Sequence, residues 1–268
     1  MLTYSLLKAP LLLGLAVNSY RGMTPPLRPP RPNEKKRASA PDFLAGLSNV
    51  QRVVIGATKV RCVLPLIPAS STNNYAYSNL KVTFCTLTLT KASLLVVQQM
   101  SPSSILHGSL FTLIPRSLLS ADTSSLRLTP VAVAGCLIGA LGGFIRVWCH
   151  RTLGRFFTWE VAVRDDHKLI IEGPYNIVRH PSYTGWYCVI AGNLLLLYSK
   201  GSLFVESGLL GTLVGKAVAA CMTVYMGWVC AGMLYRTKTE DELLRKEFGT
   251  EWDEWARKTP YRLIPGVY

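Results

Sequence analysis

Two short polar clusters, far apart in the chain, carry side chains able to bind and align charged ligands. One is Arg179-His180 followed by Pro-Ser-Tyr, and the other is Arg236 with Glu240-Asp241-Glu242. An arginine presents a planar fork of N–H donors matched to a carboxylate or phosphate, and a carboxylate accepts from an ammonium. Pro181 disfavours helical backbone at His180 and is itself suited to the first position of a helix. Arg179 and His180 therefore stand at a helix start, where unpaired N–H groups and the helix dipole favour an anion. Arg236 and Glu240 lie four residues apart, on one helical face. Readings without chemistry account for the same residues. Arg179 can snorkel beside an aromatic belt of Tyr183 and Trp186, and Arg236 with Glu240 can be a surface ion pair worth ~0.5 kcal/mol or less. Spacing alone does not choose between them.

The elements that would position these clusters are apolar. After Pro181 the chain reads as a membrane helix from Tyr183 to Tyr198, a polar turn at Ser199-Lys200-Gly201-Ser202, and a second apolar run from Leu209 to Leu234. Such a hairpin puts the Arg179-His180 end and the Arg236 end on the same side of a membrane. The second helix exceeds a hydrocarbon core of ~30 Å, so it should emerge carrying Arg236 and the acidic group that follows. Upstream, Val131 to Trp148 reads as another membrane helix, and a basic loop from His150 to Glu172 follows it. Gly135, Gly139, Gly142 and Gly143 have neither a preceding strand nor an acidic residue at the distance a dinucleotide fold requires, and close helix packing explains them. Phe248, Trp252 and Trp255 have the spacing of an amphipathic helix lying on a membrane, a commoner meaning than a substrate box. The last residues, from Lys258 to Tyr268, read as extended because of their prolines, and they show no lipidation signal of the CaaX type.

Across all 268 residues, 49% are hydrophobic and 16% charged, yet the formal charge is +14. The basic residues flank apolar runs, as cytoplasmic loops do, and this argues for an all-α, polytopic membrane helix bundle over a nucleic-acid-binding protein. The 7 cysteines are scattered and lack metal-ligand spacing, so neither a metal site nor a disulfide framework is expected. Four stretches follow: an N-terminal anchor or first span over 1–20, a linker rich in Pro and Arg over 21–41, a region of one to three helices over 42–130, and a core over 131–268. Leu6 to Val17 reads as an anchor and not a signal peptide, because no convincing small-residue cleavage site follows it. Lys59, Arg61, Lys81 and Lys91 interrupt the apolar runs of the third stretch, in which no residue attracts a chemical role.

Two separated motifs carry a more specific signal. The first is His167-Lys-Leu-Ile-Ile-Glu-Gly-Pro-Tyr-Asn-Ile-Val-Arg-His-Pro-Ser-Tyr183, and the second is Arg236-Thr-Lys-Thr-Glu-Asp-Glu-Leu-Leu with Phe248-Gly249. In these the chain from about Trp148 onward resembles the isoprenylcysteine carboxyl methyltransferase family of integral membrane enzymes. The resemblance implies methylation of the C-terminal carboxylate of a prenylated cysteine, with S-adenosylmethionine as cofactor and no metal. It places the enzyme in the endoplasmic reticulum membrane with its C-terminal site facing the cytosol, and makes prenylated proteins and membrane lipid its partners. By similarity the cofactor contacts His167, Lys168, Leu169, Ile170, Tyr175, His180, Pro181, Ser182, Tyr183 and Glu240. Arg236 meets the substrate and shares the catalytic role with Glu240. Glu160 falls at a weaker correspondence, and Glu240-Asp241 departs from the family's paired glutamates, which casts doubt on a role for Asp241.

The chemistry suits that assignment, because a carboxylate is ionised at neutral pH and attacks a sulfonium methyl without a base. On this reading Arg236 holds the acceptor carboxylate and Glu240 takes the cofactor's ammonium. His180 with the helix start takes the cofactor's carboxylate. A phospholipid amine methyltransferase shares the cofactor motif but has to remove a proton from its acceptor. A sterol reductase has a C-terminal pattern similar to Phe248 to Trp252 and Pro260 to Tyr268, but calls for a longer membrane body and a nicotinamide cofactor. A membrane protein that keeps the fold without activity is a third alternative.

Overall fold

The computed structural model describes residues 3–22, 24, 129–158, 162–164, 166–206 and 208–268. The linker, the expected helices between 42 and 128, and Glu160 lie outside the described residues. Helix α1 spans Thr3–Gly22 with Pro10 inside it. Helix α2, Pro130–Leu153, starts where the residue types require. Thr129 Oγ1 accepts the Ala132 N–H at 3.2 Å and Pro130 takes the first helical position. Helix α3 covers Pro181–Tyr198. The polar turn after it satisfies the helix's last carbonyls, with Ser199 Oγ donating to Leu196 O at 3.1 Å and Ser202 Oγ to Leu197 O at 2.7 Å.

A four-residue helix α4, Leu203–Glu206, comes next. The long helix does not begin at Leu209 as the apolar run suggests. Leu209–Gly211 forms a 3-10 turn, Thr212 is extended, and its Oγ1 accepts the Gly215 N–H at 3.0 Å. Helix α5 then runs unbroken over Leu213–Phe248. At a rise of 1.5 Å per residue it is about 54 Å long, well beyond a bilayer core. Gly249, with φ +56, ends it, and Thr250–Lys258 forms helix α6. Among the described residues every regular element is helical. Two helical segments, Pro130–Phe156 and Leu213–Phe248, are long and apolar enough to cross a membrane. Helix α1, read as an anchor or short span, is not one of these two.

The described residues form two compact units. The first contains α1, residues 130–145 of α2 and residues 185–228. Its glycines are packing positions, as the rejection of a nucleotide fold expected. A Cβ on Gly192 would lie 2.5 Å from Gly135 O, and one on Gly135 would lie 2.9 Å from Gly192 O. Gly142 meets the Gly185 carbonyl, and Gly143 meets the backbone of Asn18. Leu12, Leu15, Ala132, Cys136 and Leu196 form the adjoining core.

The second unit contains residues 146–184 and 229–268. The chain after α6 is not simply extended. Arg179 N–H donates to Tyr261 O at 2.9 Å, His180 N–H to Arg262 O at 2.8 Å, and Thr184 Oγ1 to Leu263 O at 2.7 Å. The segment then bends back at Gly266, φ +81, so that Tyr268 O accepts from Leu263 and Ile264. Helix α6 also departs from the surface-lying reading. Trp252 and Trp255 are buried, Trp255 Nε1 donates to Tyr175 O at 3.2 Å, and the Arg179 guanidinium lies 5.7 Å from the Trp252 ring centre. The indoles face protein.

Candidate active site

Pro181 sets the start of α3, and the residues on either side of it are fixed by different neighbours. Arg146, buried near the end of α2, donates from NH1 to Ser182 O at 3.0 Å and to Ser182 Oγ at 3.1 Å. His180 is 4% exposed, and its Nε2 is 2.9 Å from Asp241 Oδ1. Tyr183 donates its hydroxyl to Glu240 Oε2 at 2.7 Å, a charge-assisted bond of the stronger kind. The last two contacts join residues more than fifty positions apart and bring the two polar clusters together, as the hairpin argument required. The interfacial-belt reading fails on burial. Trp186 is 1% exposed and Tyr183 9%, while Arg179 turns inward with NH2 3.4 Å from Asp241 Oδ2.

Within the second unit these side chains surround a cavity of about 930 Å³, its open mouth included. His167, Lys168, Leu169, Ile170, Tyr175, His180, Ser182, Tyr183, Arg236 and Glu240 all line it. Pro181 does not; it is buried as the first residue of α3. Arg236 is 4% exposed, with its guanidinium 5.9 Å from the Tyr183 ring centre, so it is no surface ion pair. His167 lies between the rings of Phe156, 4.9 Å away, and Phe248, 5.7 Å away. Burial holds its pKa below the ordinary 6.5, and Arg164 adds to this against the opposing pull of Glu247 and Glu240. Burial also raises the Tyr175 hydroxyl well above its ordinary value, so it is a neutral wall of the cavity.

Sequence reasoning missed Arg146, Phe156 and Trp255, which also line the cavity, and undervalued Asp241. Asp241 is 3% exposed and accepts from His180 and from Arg262 Nε at 2.7 Å, with Arg179 alongside. Its position in an acidic run gave no sign of this. Among the described residues no group of three His, Cys, Asp or Glu side chains could hold a metal ion.

Known proteins point in one direction. The model of the isoprenylcysteine carboxyl methyltransferase (ICMT) family matches residues 133–215. The chain is 30% identical over 122 residues to protein-S-isoprenylcysteine O-methyltransferase B of Arabidopsis thaliana, covering 45% of this chain and 52% of that one. It is 37% identical over 75 residues to the protein-S-isoprenylcysteine O-methyltransferase of Saccharomyces cerevisiae, covering 27% and 31%. A Delta(14)-sterol reductase of Ascobolus immersus is 24% identical over 115 residues, covering 40% of this chain and 21% of its own length. The chain thus spans about half the length of the plant methyltransferases it matches. No solved structure matches it. The family resemblance is therefore found independently, in several methyltransferases and in a family model whose match includes the first motif and stops before Arg236.

Proposed function

We propose that this chain methylates the C-terminal carboxylate of a prenylated cysteine, using S-adenosylmethionine, at the face of a membrane. The observation that carries the reading is that Arg236 and Glu240, one turn apart on α5, line the same cavity as His180, Ser182 and Tyr183. The donor set fits an amino-acid-bearing sulfonium cofactor. Glu240 offers a carboxylate to an ammonium, and Tyr183, Phe156 and Trp255 offer ring faces to a cation or a base. That cofactor supplies an electrophilic methyl group. The remaining work is done by side chains. Arg236 holds the acceptor carboxylate through its planar fork, and the buried walls strip water from an oxygen that is already ionised. No residue need remove a proton.

The prenyl chain reaches the cavity from lipid alongside apolar helices, which gives the enzyme a reason to be built in a membrane. The basic loop from His150 to Glu172 supports a cytosolic cavity, and the endoplasmic reticulum as its location is what the family resemblance implies. The test is methyl transfer from labelled S-adenosylmethionine in membranes containing the full chain. A farnesylated cysteine, phosphatidylethanolamine and no acceptor are offered side by side. Base-labile label on the farnesylated cysteine is expected, and label confined to phospholipid would overturn the proposal.

A further inference from the structure

Asp241 does not line the cavity, yet it is where three donors of the second unit converge. Oδ1 is 2.9 Å from His180 Nε2, and Oδ2 accepts from Arg262 Nε at 2.7 Å with Arg179 NH2 at 3.4 Å. A carboxylate facing two guanidinium groups is an acceptor, so the hydrogen shared with His180 belongs on Nε2. In the neutral ring Nδ1 is then a lone pair. Nδ1 lies 3.9 Å from Glu240 Oε2, and both residues line the cavity. Oε2 also takes the Tyr183 hydroxyl. A ring lone pair and a carboxylate oxygen facing one space are matched by a cation with several N–H donors. A primary ammonium has three such donors and no acceptor, whereas a carboxylate brought there would meet only lone pairs.

We propose that Asp241 is a positioning residue that fixes His180 in its Nε2–H tautomer, so that His180 Nδ1 and Glu240 together receive the α-ammonium of the methyl donor. The inference rests on the cavity being an S-adenosylmethionine site. It moves His180 from partner of the cofactor's carboxylate, which the helix-start argument makes it, to partner of the ammonium. It also gives the aspartate that departs from the family's paired glutamates a defined task, one carried out through its neighbour.

The test measures binding, not turnover. The purified full chain is titrated with S-adenosylhomocysteine and with its deaminated analogue, in which hydrogen replaces the α-amino group. The wild type should prefer the amine by about tenfold or more, the range expected for a charge-assisted pair. In Asp241→Asn the amide can donate to Nε2 and push the ring proton to Nδ1, so the preference should fall to about threefold or less. Asp241→Glu should restore it. His180→Gln keeps a donor for Asp241 while removing Nδ1, and should lose the preference in a chain whose buried tie is intact, which decides the matter if the asparagine variant does not fold. An unchanged preference in both variants, or an equal loss of both ligands, would overturn the inference while leaving the methyl-donor reading standing. Failure of the wild type to bind S-adenosylhomocysteine at all would overturn that reading first, and this inference with it.

Discussion

Arg236 and Glu240 sit one helical turn apart on α5, and the proposed function gives them different work. Glu240 is tied to Tyr183 on the wall that holds His180, whereas Arg236 is buried with its guanidinium near the Tyr183 ring. Arg236→Ala is therefore expected to lower kcat/KM for the prenylated acceptor by about 100-fold, ~3 kcal/mol for loss of a buried carboxylate partner, with cofactor affinity nearly kept. Glu240→Ala should weaken cofactor binding by about tenfold or more. Equal losses of cofactor in equilibrium binding would contradict this division.

His167 gives a prediction in pH. Its pKa is lower in the folded protein than its ordinary 6.5, so the unfolded chain takes up a proton first as the solution is acidified. The stability linked to this ring is complete above about 6.5 and is lost as pH falls through the folded value. His167→Gln should flatten the fall in thermal midpoint between pH 7 and pH 5, and melting curves with identical slopes in the two proteins would refute it. At this scale the sequence named ten of the residues that line the cavity, left out others such as Arg146 and Phe156, and gave no sign of the buried contacts of Asp241. Asp241 is unreadable locally because its partners lie 61 residues before it and 21 after it, and an acidic run looks the same whether it is solvated or buried.

Among the elements, the apolar runs announced α2, α3 and α5, and the glycines of α2 announced a close helix contact. Gly192→Val should cost ~1–3 kcal/mol, because the new Cβ would meet a backbone oxygen that cannot step aside. Thermal unfolding in detergent checks this. Gly227→Ala is the control, with nothing within 4 Å of its Cβ and helix propensity on its side. A Gly192→Val melting point equal to wild type would remove the packing argument. What hydrophobicity could not reveal was where a run changes backbone state. Leu209 to Gly211 is as apolar as the helix beyond it, but Thr212 caps the helix and so sets its start at Leu213. Nor could spacing show which surface α6 seeks. Trp252 and Trp255 suit a membrane and a protein wall equally well, and Arg179, Arg245 and the Tyr175 carbonyl settle it for the wall.

For the molecule as a whole, composition was the strongest guide. An apolar chain with a formal charge of +14 is expected to keep most of its basic residues apart from its apolar runs, and two of the described helices are long and apolar enough to cross a membrane. The all-helical character expected from that pattern holds throughout the described residues. The tertiary closure of the site was invisible, because it depends on backbone groups of Tyr261, Arg262 and Leu263 that any residue type could supply. That closure sets an order of events during synthesis. The carbonyl of Thr259 that accepts from Arg179 is made 80 residues after it. At 5–20 residues per second, the newly made chain spends roughly 4–16 s with the carbonyl of Thr259 still untranslated. For that interval the backbone N–H groups of Arg179 and His180 lack the carbonyls of Tyr261 and Arg262 that they meet in the folded chain. A cavity lined from α3, α5 and α6 cannot be complete until Trp255 of α6 has been made.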